Sequence, residues 1–296
     1  MLIKNLRLYD VDEKAELTWS AETQSRLNAI CEENPARECQ HQETSTLGWA
    51  PVLENQEDCL IEVGASKAYL LRAMWHKRVL PPAVVKKALK DRIAEIEQVS
   101  GEKVKGKRKR DMEDEIRLEL LPKAFQKTET ALVLILPERQ QIWFDQAAAK
   151  KCEDILSQIR KQLGSLPVHP SEWSSEVPLK SWATHDSAMP SGLNLGGDIL
   201  LAHLEDGVTS KITIRKEDLG DDDIQSLIPP REIKEMALTA VEHADFRISD
   251  EGVLKGIRFA EDIRSQHSDE EGIEGQLFLV VRTLSEVLDL VTEPAA

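Results

Sequence analysis

The run Lys103-Val-Lys-Gly-Lys-Arg-Lys-Arg110 places six cations in eight residues, and the chemistry it supports is neutralisation of closely spaced phosphates. The rest of the chain has the opposite sign. Residues 67–127 hold 17 Lys/Arg against 9 Asp/Glu, residues 1–66 hold 5 against 13, and residues 128–296 hold 16 against 31, for a net charge of −15. Positive charge confined to one segment of an acidic protein is the footprint expected of a polyanion-binding element, whereas a lysine cluster in a merely solvated loop needs no such contrast. Lys86, Lys87 and Lys90 extend the basic face ahead of the run, and Lys123 and Lys127 follow it. Lys211, Arg215 and Lys216 form a smaller group, for which surface ion pairing competes with phosphate contact.

Other chemistries find weaker support. Gly101-x-x-x-x-Gly106-Lys107-Arg108 is one letter short of a phosphate-binding loop, but it lacks the hydroxyl that would hold Mg²⁺ and follows a polar helical pattern rather than a buried strand. Metal-dependent cleavage needs clustered carboxylates with a nearby lysine. Asp198 with Glu232 and Lys234 reads as strand patterning, and Asp221-Asp222-Asp223 as a solvated acidic loop. The histidines at 41, 76, 169, 185, 203, 243 and 267 fall in no hydrolase motif. Cys31, Cys39, Cys59 and Cys152 include no C-x-x-C pair, so reduced thiols are expected and no metal site. No catalytic residue and no cofactor is therefore assigned. Without a helix-turn-helix, zinc-finger or RNA-recognition motif, binding is expected to ignore sequence, since phosphate contacts position a protein but read no bases.

The elements that must present these residues follow from periodicity. Pro81-Pro82 opens a helical pattern of roughly 18 residues with Val85, Leu89, Ile93 and Ile96 on one stripe. A second pattern opens at Asp111, with Met112, Ile116 and Leu120 on one face, and Pro122 closes it. Together they predict a two-helix hairpin with a basic loop at its tip. Around it lie strand patterns at 2–11, 47–52, 59–63, 67–75, 130–136 and 141–145, and helical patterns from Ser20 to about Glu33 and from Ala147 to Leu163. Residues 169–197 are rich in Pro, Ser and Gly and read as a linker or border. Beyond them, strands fit 198–205, 208–215, 232–239 and 253–259, with Asp206-Gly207 as a hairpin turn, before a closing helix through Leu277, Val280, Leu284, Leu288 and Val291. The opening MLIKNLRLYD has no signal-peptide core and the longest apolar run, Ala131–Leu136, is too short to span a bilayer, so a cytoplasmic protein without membrane contact is expected.

Several tracts resemble a known family. MLIKNLRLY at the start, Leu47-Gly-Trp-Ala-Pro, Val84-Val85-Lys-Lys-Ala-Leu, Leu120-Leu-Pro-Lys-Ala-Phe125, Arg160-Lys-Gln-Leu-Gly-Ser-Leu-Pro-Val168 and Asp250-Glu-Gly-Val-Leu-Lys-Gly-Ile-Arg-Phe259 together look like RdgC, the bacterial recombination-associated family. The resemblance implies a non-enzymatic DNA-binding protein, a ring-shaped homodimer of crescent protomers around duplex DNA, restraint of RecA-promoted strand exchange and a nucleoid location. It also implies that Phe125 belongs to the dimer contact, although an aromatic after a helix-ending proline, read alone, is more often core.

The fold expected is α+β: an N-terminal sheet-and-helix domain (1–80 with 128–168), a basic helical arm inserted in it (81–127), and a second α+β domain (169–296). Two rivals stand beside sequence-independent double-stranded-DNA binding. One is a structure-specific DNA nuclease; the other is an interaction module whose arm docks on an acidic partner.

Overall fold

The protein is described by a computed structural model covering residues 2–292 except 13, 16, 54–56, 165, 172–176, 185–188, 206–207 and 271. The chain begins with β1 (Asn5–Val11), α1 (Ala21–Glu33), β2 (Ser45–Ala50), β3 (Leu60–Val63) and β4 (Ala68–Val79). The arm follows as α2 (Pro82–Ser100) and α3 (Gly106–Leu120), and the chain returns through β5 (Phe125–Leu136), β6 (Gln141–Phe144) and α4 (Ala149–Leu163). Next come β7 (Val168–Pro170), α5 (Leu179–Thr184), β8 (Leu193–Glu205), β9 (Val208–Ile214) and α6 (Asp222–Gln225). The last elements are β10 (Glu232–Ala240), β11 (Ala244–Ser249), β12 (Leu254–Phe259), α7 (Glu261–Asp269) and α8 (Ile273–Thr292). An α+β fold is thus formed, with a large sheet whose described pairings between strands are antiparallel.

The described residues gather into two compact units, 1–27 with 60–71 and 132–296, and 28–59 with 72–131. None of these boundaries falls in 169–197, where β7 pairs with β1 through Tyr9↔Pro170 and Val11↔Val168. In the first unit β1 is the hinge of the sheet topology. It pairs β6 along Arg7↔Phe144 to Asp10↔Gln141, and β12 at Asn5↔Lys255, so early and late strands share one ladder. From β12 the order continues β11, β10, β8, β9. The stretch Ala131–Leu136 is buried at every position, as a continuously apolar strand between two neighbours should be. In α4, Cys152, Ile155, Leu156 and Ile159 are fully buried, the inward stripe of an amphipathic helix. Leu277, Val280, Leu284 and Val287 form the buried stripe of α8.

The second unit contains β2 paired with β4 from Ser45↔Lys77 to Ala50↔Arg72, with Trp49 buried. Gly48 has no room for a side chain, since a Cβ there would lie 2.5 Å from the Pro35 carbonyl oxygen. Cys31 and Cys59 are joined in a disulfide, which corrects the expectation of reduced thiols for that pair. The end of α1 and the approach to β3 bring their Cα atoms to 6.3 Å, inside the range a disulfide spans.

Several elements escape the sequence reading, among them β7 and α5 at and within the stretch read as a linker or border, and β11 and α7 beyond it. β11 is not expected from the sequence, although Ala244, Phe246 and Ile248 are buried and Asp245 and Arg247 exposed, a period of two in six residues. α7 carries one strongly apolar residue, Ile263, and offers almost no stripe to detect. The turn Asp206-Gly207 and His185 lie outside the described residues.

Candidate nucleic-acid interface

The arm is a helical hairpin with a small core of its own. Pro81 stands extended at the N-cap of α2 (φ −61°, ψ 133°) and Pro82 takes the first helical position, where a missing N–H costs no bond. Val85 and Leu89 then meet Met112 and Ile116 of α3, with Val104 of the turn sealing the far end. Leu80, Ala88, Ile93, Ile96 and Leu120 pack around them. Arg92 and Glu119 bridge the two helices at 2.9 Å.

At the tip, Gly101 ends α2 in the left-handed region at φ 69°, and Gly106 enters α3 at φ 59°, conformations that favour glycine. The basic run is therefore a loop only over residues 103–105, and not throughout as the sequence suggested. α3 begins at Gly106, five residues before the expected Asp111, so Lys107, Arg108, Lys109 and Arg110 form its opening turn. Four cations at the positive end of a helix dipole work against helix formation, and Lys105 at the N-cap supplies no side-chain hydrogen bond. The core contacts of Met112, Ile116 and Val104 outweigh that local preference.

Lys103, Lys105, Lys107, Arg108, Lys109 and Arg110 are all exposed, as are Lys86, Lys87, Lys90 and Lys123. Among the described residues none of these ten makes an ion pair. Lys127 is exposed but lies 3.0 Å from Glu129. Two groups result. The tip group clusters at one end of the hairpin, while Lys86, Lys87 and Lys90 lie on the early turns of α2, about 20 Å away along a helix rising 1.5 Å per residue. Lys123 and Lys127 follow the second helix, in a single 3₁₀ turn and in β5. Lys211, Arg215 and Lys216 are exposed on and just after β9, and Lys216, at φ 56°, donates its backbone N–H to Asp198.

Phe125 opens β5 with 88% of its surface exposed, so the reading of it as a core aromatic is overturned. Arg78 at the foot of the arm is a residue that sequence reasoning missed. Its guanidinium donates to the carbonyls of Pro122 and Ala124 at 3.1 and 3.3 Å, and of Cys39 and Gln40 at 3.1 and 3.2 Å. A lone arginine in a strand gives no signal for such a role.

Most of the carboxylates considered for metal chemistry are otherwise engaged. Asp198 accepts from Lys216, Glu232 and Asp250 hold Lys234, and Asp221 caps α6 by accepting from Asp223. That cap corrects the reading of 221–223 as a plain loop: the acidic residues open a short helix, where its dipole favours them. Among the described residues no three His, Cys, Asp or Glu side chains meet as a metal-holding group. Burial pushes the Cys152 thiol up to about 12, which keeps it protonated and unreactive at neutral pH. Nor, among the described residues, is any helix long and apolar enough to cross a membrane.

Residues 1–293 match a family model described as "Putative exonuclease, RdgC". Two relatives named "Recombination-associated protein RdgC", from Actinobacillus succinogenes and Pasteurella multocida, are each 32% identical to this chain over 90% of it and 86% of their own length. A third of that name, from Proteus mirabilis, is 28% identical over 98% of this chain and 96% of its own. The match runs through both compact units, the second of which includes the arm, and on that extent the chain belongs to the RdgC family.

Proposed function

We propose that the protein is a non-enzymatic, sequence-independent double-stranded-DNA-binding protein that acts in recombination. The observation that carries this reading is the set of ten exposed arm cations with no carboxylate partner among the described residues, in a chain of net charge −15. Cations held apart from carboxylates are available to phosphates, and an acidic body repels the same duplex elsewhere. Residues 81–127 act as the binding arm of the N-terminal domain (1–80 with 128–168), and residues 169–296 form the second domain. Lys211, Arg215 and Lys216 add a secondary contact.

The working form is a homodimer that encircles DNA, with Phe125 at the contact between protomers. A phenylalanine left 88% exposed is the kind of residue a partner surface covers. The relatives' printed name supports a place in recombination. Protein wrapped on a duplex denies that duplex to RecA, so restraint of strand exchange needs no active site and no cofactor, and the bound protein resides with the nucleoid.

A gel-shift titration with unrelated duplexes at several salt concentrations tests the reading. Equal affinities that fall steeply with salt are expected; no shift at low salt would instead favour docking of the arm on an acidic protein partner.

The family description names exonuclease activity, which favours a second reading. Incubation of end-labelled linear duplex with the pure protein and Mg²⁺ or Mn²⁺ decides between them, since progressive shortening would replace the non-enzymatic assignment.

A further inference from the structure

The geometry points to Glu97 as the positioning residue of the DNA-binding tip, an inference that rests on the arm being the phosphate-binding element. Glu97 holds both ends of the turn between α2 and α3. Its backbone carbonyl accepts the N–H of Gly101 at 2.9 Å, and its carboxylate Oε1 accepts the N–H of Val104 at 2.8 Å. The second bond matters more, because the entry to α3 has no side-chain cap of its own and opens with four cations opposed by the helix dipole. With Val104 tied down and its side chain 6% exposed in the arm core, Lys103 and Lys105 on either side of it are both held outward.

A fixed turn lets the tip cations meet a phosphate backbone without ordering themselves first. Yet the carboxylate that fixes the turn is an anion beside the same phosphates. Positioning strengthens binding while charge weakens it, and the two effects separate by substitution. Glu97→Gln and Glu97→Ala remove the same charge, but only glutamine keeps an oxygen that accepts from Val104. Glu97→Asp keeps the charge and draws the oxygen back by one methylene.

Affinity for a short duplex is measured by fluorescence anisotropy at fixed salt, with amide exchange at Val104 as a second readout. E97Q is expected to bind as well as the parent or up to about threefold tighter, with Val104 still protected. E97A and E97D are expected to bind about two- to tenfold weaker, with faster exchange at Val104, in line with removal of one hydrogen bond. Should E97A and E97Q both tighten alike, Glu97 is only a charge and the inference falls; E97D binding like the parent would overturn it too. The quadruple variant Lys107→Ala, Arg108→Ala, Lys109→Ala, Arg110→Ala separates this from the wider reading. If that variant loses DNA while all three Glu97 variants bind alike, only the positioning role fails; if it keeps DNA, the arm is not the interface and both fail.

Discussion

Along β10, β11 and β12, Arg247 and Lys255 close on Glu235 at 3.0 and 2.7 Å, and Lys234 lies between Glu232 and Asp250 at 2.8 and 2.9 Å; in the arm, Lys103, Lys105 and Lys107 to Arg110 close on no carboxylate among the described residues. Hydrogen bonds donated to Glu232 and Asp250 raise the pKa of the Lys234 ammonium above its usual range, the mark of a cation already satisfied. The number of lysines and arginines is thus a poor guide to binding surface. What matters is whether neighbouring strands deliver a carboxylate to each cation, as β10, β11 and β12 do, or whether a helix end carries a run of one sign, as α3 does.

Removing the tip cations should do the most damage to binding. Alanine at 107, 108, 109 and 110 is expected to weaken duplex binding on the order of a thousandfold at 0.1 M salt and to lower the slope of log affinity against log salt by about 0.9 for each phosphate no longer neutralised. An unchanged slope in a salt titration would mean that exposed, partnerless cations do no binding here. The arm's core comes next. Ile116 is 2% exposed in a cluster of five buried residues, so Ile116→Ala should cost about 3 kcal/mol of local stability, visible as faster amide exchange through α2 and α3. The sheet should be untouched by the same change.

The hairpin was legible because its signals agree: a proline pair at the start, a stripe at spacings of three and four, and a charge reversal against the rest of the chain. Its inner boundary was not. Asp111 looked like a helix start because carboxylates suit that position, yet Val104, Met112 and Ile116 share a core and draw α3 back to Gly106 across the cations. Phe125 shows the converse limit, since hydrophobicity says nothing about whether a partner or the chain's own core covers a residue. Arg78 and the Cys31–Cys59 disulfide depend on residues far apart in sequence, which no local pattern encodes.

Glu235 gives the matching test on the sheet. Its carboxylate is 16% exposed and serves both Arg247 and Lys255, so Glu235→Gln should destabilise the protein by about 1 kcal/mol in chemical denaturation. Two freed cations and one anion fewer would raise duplex affinity only if this sheet surface also meets DNA. A rise of more than about threefold would therefore extend the interface beyond the arm, and no rise would confine it.

A smaller change is expected at Asp145, a half-buried carboxyl of the first unit. Asp145 Oδ1 accepts the backbone N–H groups of Lys4 and Asn5 at 3.1 and 2.8 Å, bonds that favour the carboxylate, but burial outweighs them and raises its pKa above the usual range. A carboxyl raised on folding binds its proton more tightly in the folded state. It therefore adds stability below its unfolded pKa and loses that contribution as pH rises through the folded value. Asp145→Asn keeps an oxygen for both N–H groups without the charge, and so mimics the protonated form at every pH. The variant should melt a degree or two above the parent at pH 7, with the gap closing as pH falls below the carboxylate range. A gap that widened on acidification would mean that the two backbone bonds, not desolvation, set the charge state of Asp145, and that this carboxylate, like those of β10, is held by satisfying it.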